Sequence, residues 1–96
     1  MKKIFICSPL RGNIEENIER AKGYSREVVL AGHIPITPHI YFTQFLNDDD
    51  PKEREIGMKM GRKLLETCDE MWIYGEPTEG MLLEIKQFKG KKVKKT

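Results

Sequence analysis

Short apolar runs alternate with helix-forming segments along this chain, and that alternation limits its possible folds more than any other feature. The runs lie at residues 2–7, 33–37 and 69–75, with a fourth, lysine-rich run at residues 91–95. Strands that alternate with helices are typical of a parallel sheet with helices on its faces and right-handed crossovers. The pattern predicts the α/β class: a small Rossmann-like, three-layer domain with a parallel sheet of about four strands. The lysine-rich run is expected at a sheet edge.

Capping residues indicate where the helices begin. Asn13, Asp50 and Thr78 each carry a side-chain oxygen that suits the N-cap position, and each precedes a helix-forming segment. The second predicted helix should end near Thr67 and the last near Phe88. Three helices are therefore expected between the four strands.

The segment between the second strand and the second helix is rich in apolar side chains. Residues 39–47 include Tyr41, Phe42 and Phe45, so we expect a loop that packs against the domain. Two interpretations of the aromatic residues stay open: a satellite core, or a lid that stacks on a bound base. Helix capping explains the acidic run at residues 48–50 without a metal ion.

Length and composition restrict the class of protein. Ninety-six residues, 39% of them hydrophobic, are enough for one domain with a modest core, here residues 1–96. No apolar run is long enough for a membrane span or a signal peptide, so a cytoplasmic protein without a membrane partner is expected. Two cysteines without C-x-x-C spacing predict neither a disulfide framework nor a zinc site.

The basic charge is concentrated at one end of the chain. The net charge is +2, and residues 89–96 hold five lysines, no acidic residue and no aromatic residue. Surfaces that bind nucleic acid interleave aromatic and basic side chains over a folded face. We therefore expect a solvated edge here, with no nucleic-acid polymer as a partner.

Three predicted loops follow strand ends, where parallel sheets bind their ligands. They span residues 8–13, 38–50 and 75–80. In the first, Arg11 and the free N–H groups at a helix start suit a phosphate or another anion, and Gly12 lets the backbone approach closely. This loop matches neither the dinucleotide fingerprint nor the P-loop, so a plain turn is an equal interpretation.

Glu84 lies about one turn into the last predicted helix, among apolar neighbours. It fits two roles: the polar member of an amphipathic helix, or a partly buried nucleophile at the sheet edge. Thr78 can cap the same helix, and its hydroxyl can also contact an anion. We expect Glu84, Thr78 and the loop at residues 8–13 to line one pocket.

The order of four short strings makes the sequence resemble a known superfamily. The strings are CSPLRGN, AGHIPITPHIYF, CDEMWIYG and TEGMLLEI. They follow one another as in the nucleoside 2-deoxyribosyltransferase-like superfamily. The chain is most similar to its small phage and bacterial branch, which is related to the 2′-deoxynucleoside 5′-phosphate N-hydrolases. The resemblance extends over residues 3–93.

The resemblance implies an activity. Catalytic members cleave the N-glycosidic bond of deoxynucleosides or their 5′-monophosphates with a glutamate that Glu84 matches. Thr78 stands where the nucleotide hydrolases have a phosphate-binding serine. The resemblance thus implies an N-glycosidase or deoxyribosyltransferase that acts on a nucleoside 5′-phosphate or related nucleotide, with no cofactor and no metal.

The resemblance also implies a set of substrate contacts. His39 follows the second strand and suits a base or phosphate contact, with a structural histidine as the alternative. Asp69 is a candidate proton donor to the leaving base, but its place at a strand start, the wrong sheet edge for the site, favours a strand-start or capping acid. The full set of predicted substrate-binding residues is Ser8, Pro9, Leu10, Arg11, Gly12, His39, Asp69, Thr78 and Gly80.

One departure from the family pattern favours a second interpretation. Met81, Leu82 and Leu83 occupy positions that are glycine-rich in the known enzymes. Bulky residues there suit a non-catalytic protein that senses or sequesters a nucleotide-derived signal. The chain is also shorter than typical members, whose sites are often built across a dimer, so a homo-oligomer, most simply a homodimer, is expected.

Overall fold

All four strands lie parallel in one sheet. A computed structural model describes residues 1–95. The strands pair in the order β2–β1–β3–β4, and each pair is parallel. The predicted α/β, Rossmann-like fold is therefore confirmed. The elements are β1 (Lys3–Cys7), α1 (Ile14–Leu30), β2 (Ile34–Ile36), α2 (Pro38–Phe42), α3 (Pro51–Leu65), β3 (Glu70–Ile73), α4 (Glu79–Gln87) and β4 (Lys91–Lys94).

Helices cover both faces of the sheet and produce three layers. On one face Ile4 packs in a buried cluster with Val28 of α1. On the other face Phe5 packs with Leu65 of α3 and Met81 of α4. Successive residues of β1 thus point into opposite clusters, as the alternation of a strand requires.

The predicted caps form. Each N-cap side chain accepts a hydrogen bond from a backbone N–H in the first turn, which satisfies a group that has no partner within the helix. The three hydrogen bonds run from Glu16 N to Asn13 Oδ1 at 3.2 Å, from Lys52 N to Asp50 Oδ1 at 3.0 Å, and from Met81 N to Thr78 Oγ1 at 3.3 Å.

A short helix, α2, begins the segment that the sequence predicts as a loop, so that prediction is wrong for Pro38–Phe42. The helix depends on close packing against α3. A Cβ atom on Gly61 would lie 3.3 Å from Cβ of Pro38, and one on Gly57 would lie 3.5 Å from Cδ1 of Leu46. The contact at Gly57 would be an ordinary one, whereas the tighter contact at Gly61 shows that glycine there lets Pro38 approach α3 closely.

The lysine-rich strand β4 lies at one edge, as predicted. It pairs with β3, and its lysines are exposed while Val93 packs towards the cluster beneath α1. Among the helices of residues 1–95, none has the length and apolar character needed to cross a membrane.

Candidate active site

A cavity of about 520 Å³ opens at the carboxyl edge of the sheet. Its wall combines the turn after β1 with α2, α3 and the first turns of α4. β1 and β3 are adjacent although they are not consecutive. The crossover after β1 leads to β2 on one side, and the crossover after β3 leads to β4 on the other side. Open parallel sheets form their ligand crevices where the direction of the crossovers changes in this way.

Seven of the ten residues predicted for the site line this cavity. They come from three separate parts of the sequence, which the fold brings together at one edge. They are Ser8, Leu10, Arg11, His39, Thr78, Gly80 and Glu84.

The structure does not bring the other three predicted residues into the cavity wall. Pro9 borders a smaller pocket on the α1 side of the sheet. Gly12 is exposed and has a φ of +104°, so its glycine character serves the turn itself. Asp69 lies at the amino end of β3, the opposite edge of the sheet, where its Oδ2 accepts a hydrogen bond from Lys3 N at 2.8 Å. Its contact with Lys3 fits the structural alternative for Asp69.

Glu84 is a carboxylate in the cavity wall and has no ion pair among the described residues. Its Oε1 lies 3.5 Å from Sγ of Cys7, which donates to it. Burial raises the pKa of Glu84 to about 7, against the smaller opposing effects of the Cys7 thiol and of Arg62. Near neutral pH the side chain is thus divided between the protonated and the ionised form.

His39 and Ser8 form a polar pair at the cavity wall. Nε2 of His39 lies 3.1 Å from Oγ of Ser8. Burial lowers the pKa of His39 to about 4, so the imidazole is neutral at pH 7. A neutral imidazole offers a hydrogen bond and no positive charge, which suits a nucleobase edge better than a phosphate.

Arginines approach the cavity from two directions. Arg11, on the loop after β1, is bound to Asp48, with Nη1 2.9 Å from Oδ2. Arg54 and Arg62 line the cavity from α3 and have no ion pair among the described residues. Sequence reasoning missed these two; their spacing of eight residues, about two helical turns, is the signal that places both on one face of α3.

The first turn of α4 adds backbone donors at the same place. Thr78 uses its Oγ1 as the helix cap, and Glu79 and Gly80 follow it in the cavity wall. The first N–H groups of a helix have no acceptor within it, and the helix dipole favours an anion there. Within residues 1–95, no cluster of three metal-ligating side chains accompanies these groups.

The three bulky residues before Glu84 point in different directions. Met81 is buried in the cluster under α4 and also lines the cavity. Leu82 is 55% exposed and does not line the cavity, whereas Leu83 lies at the cavity wall and is 49% exposed. Two of the three bulky residues, Met81 and Leu83, thus border the cavity.

The aromatic residues near α2 form a group of their own. The rings of Tyr41, Phe42 and Phe45 meet edge to face, with centroids 5.1 to 5.9 Å apart. Phe42 lines the cavity, while Tyr41 is 61% and Phe45 is 59% exposed. The group therefore offers one ring to the cavity and two to the outer surface.

Residues 2–96 match a known family, described as a domain of unknown function, DUF7768. The chain belongs to the DUF7768 family. No curated protein is significantly similar to this DUF7768 chain in sequence.

The fold of the DUF7768 chain is similar to that of a solved 2-deoxyribosyltransferase. That enzyme comes from the psychrotolerant bacterium Bacillus psychrosaccharolyticus, and the TM-score is 0.67 at 15% sequence identity. The match covers 88% of this chain and 62% of the enzyme. The DUF7768 chain thus spans less than two thirds of the enzyme's length, and the likeness shows that the two share a fold.

Proposed function

We propose that this chain binds a nucleoside 5′-phosphate or a related nucleotide and cleaves or exchanges its N-glycosidic bond. The observation that carries the proposal is the state of Glu84. The carboxylate borders a ligand-sized cavity, and burial raises its pKa to about 7. A carboxylate whose pKa is raised to about 7 is a more basic nucleophile, and a substantial fraction of it is still ionised at neutral pH and able to attack.

The proposed reaction begins at C1′ of the sugar. One oxygen of ionised Glu84 attacks C1′ as the C1′–N bond breaks, and the electron pair leaves with the base, which takes up a proton from solvent. The glycosyl ester then reacts with water or with a nitrogen of a second base, and in either case the proton of the attacking group passes to solvent. Either attack breaks the ester bond and restores the Glu84 carboxylate. The oxocarbenium character of C1′ in both steps is stabilised by the negative charge of that carboxylate.

The first turn of α4 is the proposed phosphate site. Thr78 and the N–H groups of Glu79 and Gly80 offer donors beside Glu84 on the same helix. Arg62 adds positive charge, and its effect on the pKa of Glu84 indicates that it lies near the carboxylate. These groups together favour a ligand with an anionic group close to its sugar.

The α2 side of the cavity is the proposed base site. Phe42 and Leu46 give an apolar surface, and the His39–Ser8 pair gives hydrogen-bonding groups without charge. A flat, neutral base with polar edges suits that combination. Asp69 has no part in this proposal, because it lies at the other edge of the sheet.

The test is incubation of the protein with a panel of deoxynucleoside 5′-monophosphates and the matching nucleosides, followed by chromatography. We expect free base to appear, faster from the monophosphates than from the nucleosides. Addition of a second base should yield the exchanged nucleotide if transfer competes with hydrolysis. No release of base from any member of the panel contradicts the proposed activity.

A second candidate function is sequestration of a nucleotide without turnover. The observation in its favour is Leu83, which places a bulky side chain at the cavity wall one residue before Glu84. The same chromatography separates the two functions. A binder depletes the free nucleotide from solution, and denaturation returns it intact.

We also propose that the chain acts as one domain over residues 1–96, in the cytoplasm, as a homodimer. Exposed apolar side chains outside the cavity wall support the dimer: Ile56 and Met60 on α3 and Leu82 on α4 are each between 45% and 55% exposed. Burial of such a surface favours association. Light scattering should give twice the chain mass at micromolar concentration, and a monomer mass contradicts the dimer.

A further inference from the structure

The thiol of Cys7 is the nearest hydrogen-bond donor to the Glu84 carboxylate among the described contacts. Sγ lies 3.5 Å from Oε1 of Glu84 and 3.9 Å from the carbonyl oxygen of Met81. A thiol has one hydrogen to donate, and the carboxylate is both the nearer acceptor and the charged one. Cys7 therefore donates its single hydrogen to the Glu84 carboxylate whenever that side chain is ionised.

Cys7 is held rigidly. It is the last residue of β1 and fully buried. It pairs with Ile73 of β3, and its carbonyl accepts a hydrogen bond from Tyr74 N at 2.9 Å. The thiol thus extends from the carboxyl end of a central strand, whereas Glu84 is carried by a helix that packs on the sheet.

The thiol keeps its proton over the range in which Glu84 ionises. Burial, with the nearby Glu84 carboxylate, raises the pKa of Cys7 well above that of an ordinary thiol. Cys7 is for this reason a donor to Glu84 and a poor nucleophile itself. A thiol is also a weak donor, so it orients the carboxylate while burial still keeps the pKa of Glu84 near 7.

We propose that Cys7 is a positioning residue for Glu84: its thiol holds Oε1 against the end of β1 and leaves the second carboxylate oxygen for C1′ of the substrate. This inference rests on the proposed function for its catalytic meaning. The hydrogen bond itself is testable without turnover.

The variants are Cys7→Ala, which removes the donor, and Cys7→Ser, which keeps one. Cys68→Ala is the matched control, because Cys68 is a partly buried thiol that donates to the carbonyl of Leu64 at 3.4 Å and does not line the cavity. In Cys7→Ala we expect kcat for base release to fall about tenfold at pH 7 with little change in KM. Cys7→Ser should recover most of kcat, and Cys68→Ala should match the wild type.

The pKa of Glu84 gives a readout that needs no activity. Carbon-detected NMR of labelled glutamate should show a higher pKa for Glu84 in Cys7→Ala, a lower one in Cys7→Ser, whose hydroxyl is the stronger donor, and no change in Cys68→Ala. An unchanged pKa in Cys7→Ala overturns the inference whether or not the protein is an enzyme. A raised pKa in a protein that releases no base supports the hydrogen bond and rejects the proposed function.

A measurement on the Cys68→Ala background covers the case in which Cys7→Ala does not fold. Only Cys7 then contributes to the infrared S–H stretching band. The band should shift as pH rises through 7 and Glu84 ionises, and the shift should be lost when Glu84→Gln is added. A band that does not move with pH overturns the inference.

Discussion

The two edges of the sheet each hold a partly or fully buried glutamate, and the two are set up in opposite ways. At the amino edge Glu70 accepts hydrogen bonds from Nζ of Lys2 at 2.7 Å and from Nε1 of Trp72 at 3.1 Å. These bonds lower the pKa of Glu70. At the carboxyl edge Glu84 has a weak thiol donor and no ion pair, and burial raises its pKa to about 7.

The difference separates a structural carboxylate from one available for chemistry. Glu70 is satisfied by its own protein, so its charge is neutralised and its oxygens are occupied. Glu84 has a hydrogen bond to only one of its two oxygens among the described residues, and it lies in the wall of the cavity. In the proposed reaction the second oxygen is free to meet a positively polarised C1′. The hydrogen-bond and ion-pair partners of a buried acid thus indicate whether its role is structural or chemical.

Substitution of each glutamate by glutamine should give the largest difference between the two sites, measured as the rate of base release. Glu84→Gln keeps the size of the side chain but removes the charge and the nucleophile. Base release should fall by about 10² or more, equivalent to roughly 3 kcal/mol of barrier, while binding of a phosphorylated ligand persists. Glu70→Gln is the matched control, and it should release base at the wild-type rate.

The measurements are initial rates of base release and calorimetric titration with a nucleoside 5′-monophosphate. Undiminished release in Glu84→Gln removes this residue from the mechanism. Equal losses in both variants would instead indicate a general effect on folding, which the titration would reveal as lost binding.

The same pair should differ in how pH changes stability. The raised pKa of Glu84 favours its protonated form in the folded state, so its contribution to stability is complete below about pH 4.5 and is lost as pH rises through 7. As pH rises from 4.5 to 8, the free energy of unfolding of Glu84→Gln should therefore increase relative to that of the wild type, by an amount on the order of 3 kcal/mol.

Glu70 should show the opposite sign. Its lowered pKa gives stability that is present above pH 4.5 and is lost as pH falls through the folded-state value. Glu70→Gln should thus be less stable than the wild type at neutral pH, with a difference that shrinks in acid. Urea unfolding of the three proteins at several pH values tests both trends, and parallel curves for the two variants would contradict the contrast.

The fold was predictable because its signals are local. Asn13 and Asp50 each cap a helix with an oxygen that bonds a backbone N–H two or three residues later, and the apolar runs mark the strands. The helix α2 was not predictable, because Pro38 packs closely against Gly61, more than twenty residues away. The local sequence carries no signal for a contact between such distant residues.

The site was predictable only in outline. Loops that follow parallel strands must share an edge, so the sequence indicated that Ser8 and Thr78 would lie near each other. The contact between Cys7 and Glu84 joins residues 77 positions apart. It depends on the face of β1 to which the Cys7 side chain points and on how α4 packs against that face. Arg62 was missed for a similar reason, since only the packing of α3 decides that its side chain reaches the cavity.

The smallest expected effect concerns Thr78, whose hydroxyl caps α4 and is proposed to contact the phosphate. Thr78→Val keeps the β-branched shape but loses the acceptor for Met81 N, so stability should fall by about 1 kcal/mol. It should also weaken binding of a nucleoside 5′-monophosphate without weakening binding of the matching nucleoside, because only the phosphate uses the hydroxyl. Thr78→Ser should restore both properties.

Asp50→Ala is the matched control for Thr78→Val, since Asp50 caps α3 and lies outside the cavity wall. It should cost a similar amount of stability and leave both affinities unchanged. Urea unfolding and calorimetric titration with the phosphate and nucleoside pair separate the two tasks. If Thr78→Val and Asp50→Ala lose stability alike and bind the monophosphate alike, the Thr78 hydroxyl is a cap alone, and the proposed phosphate site then rests on the backbone of α4 and on Arg62.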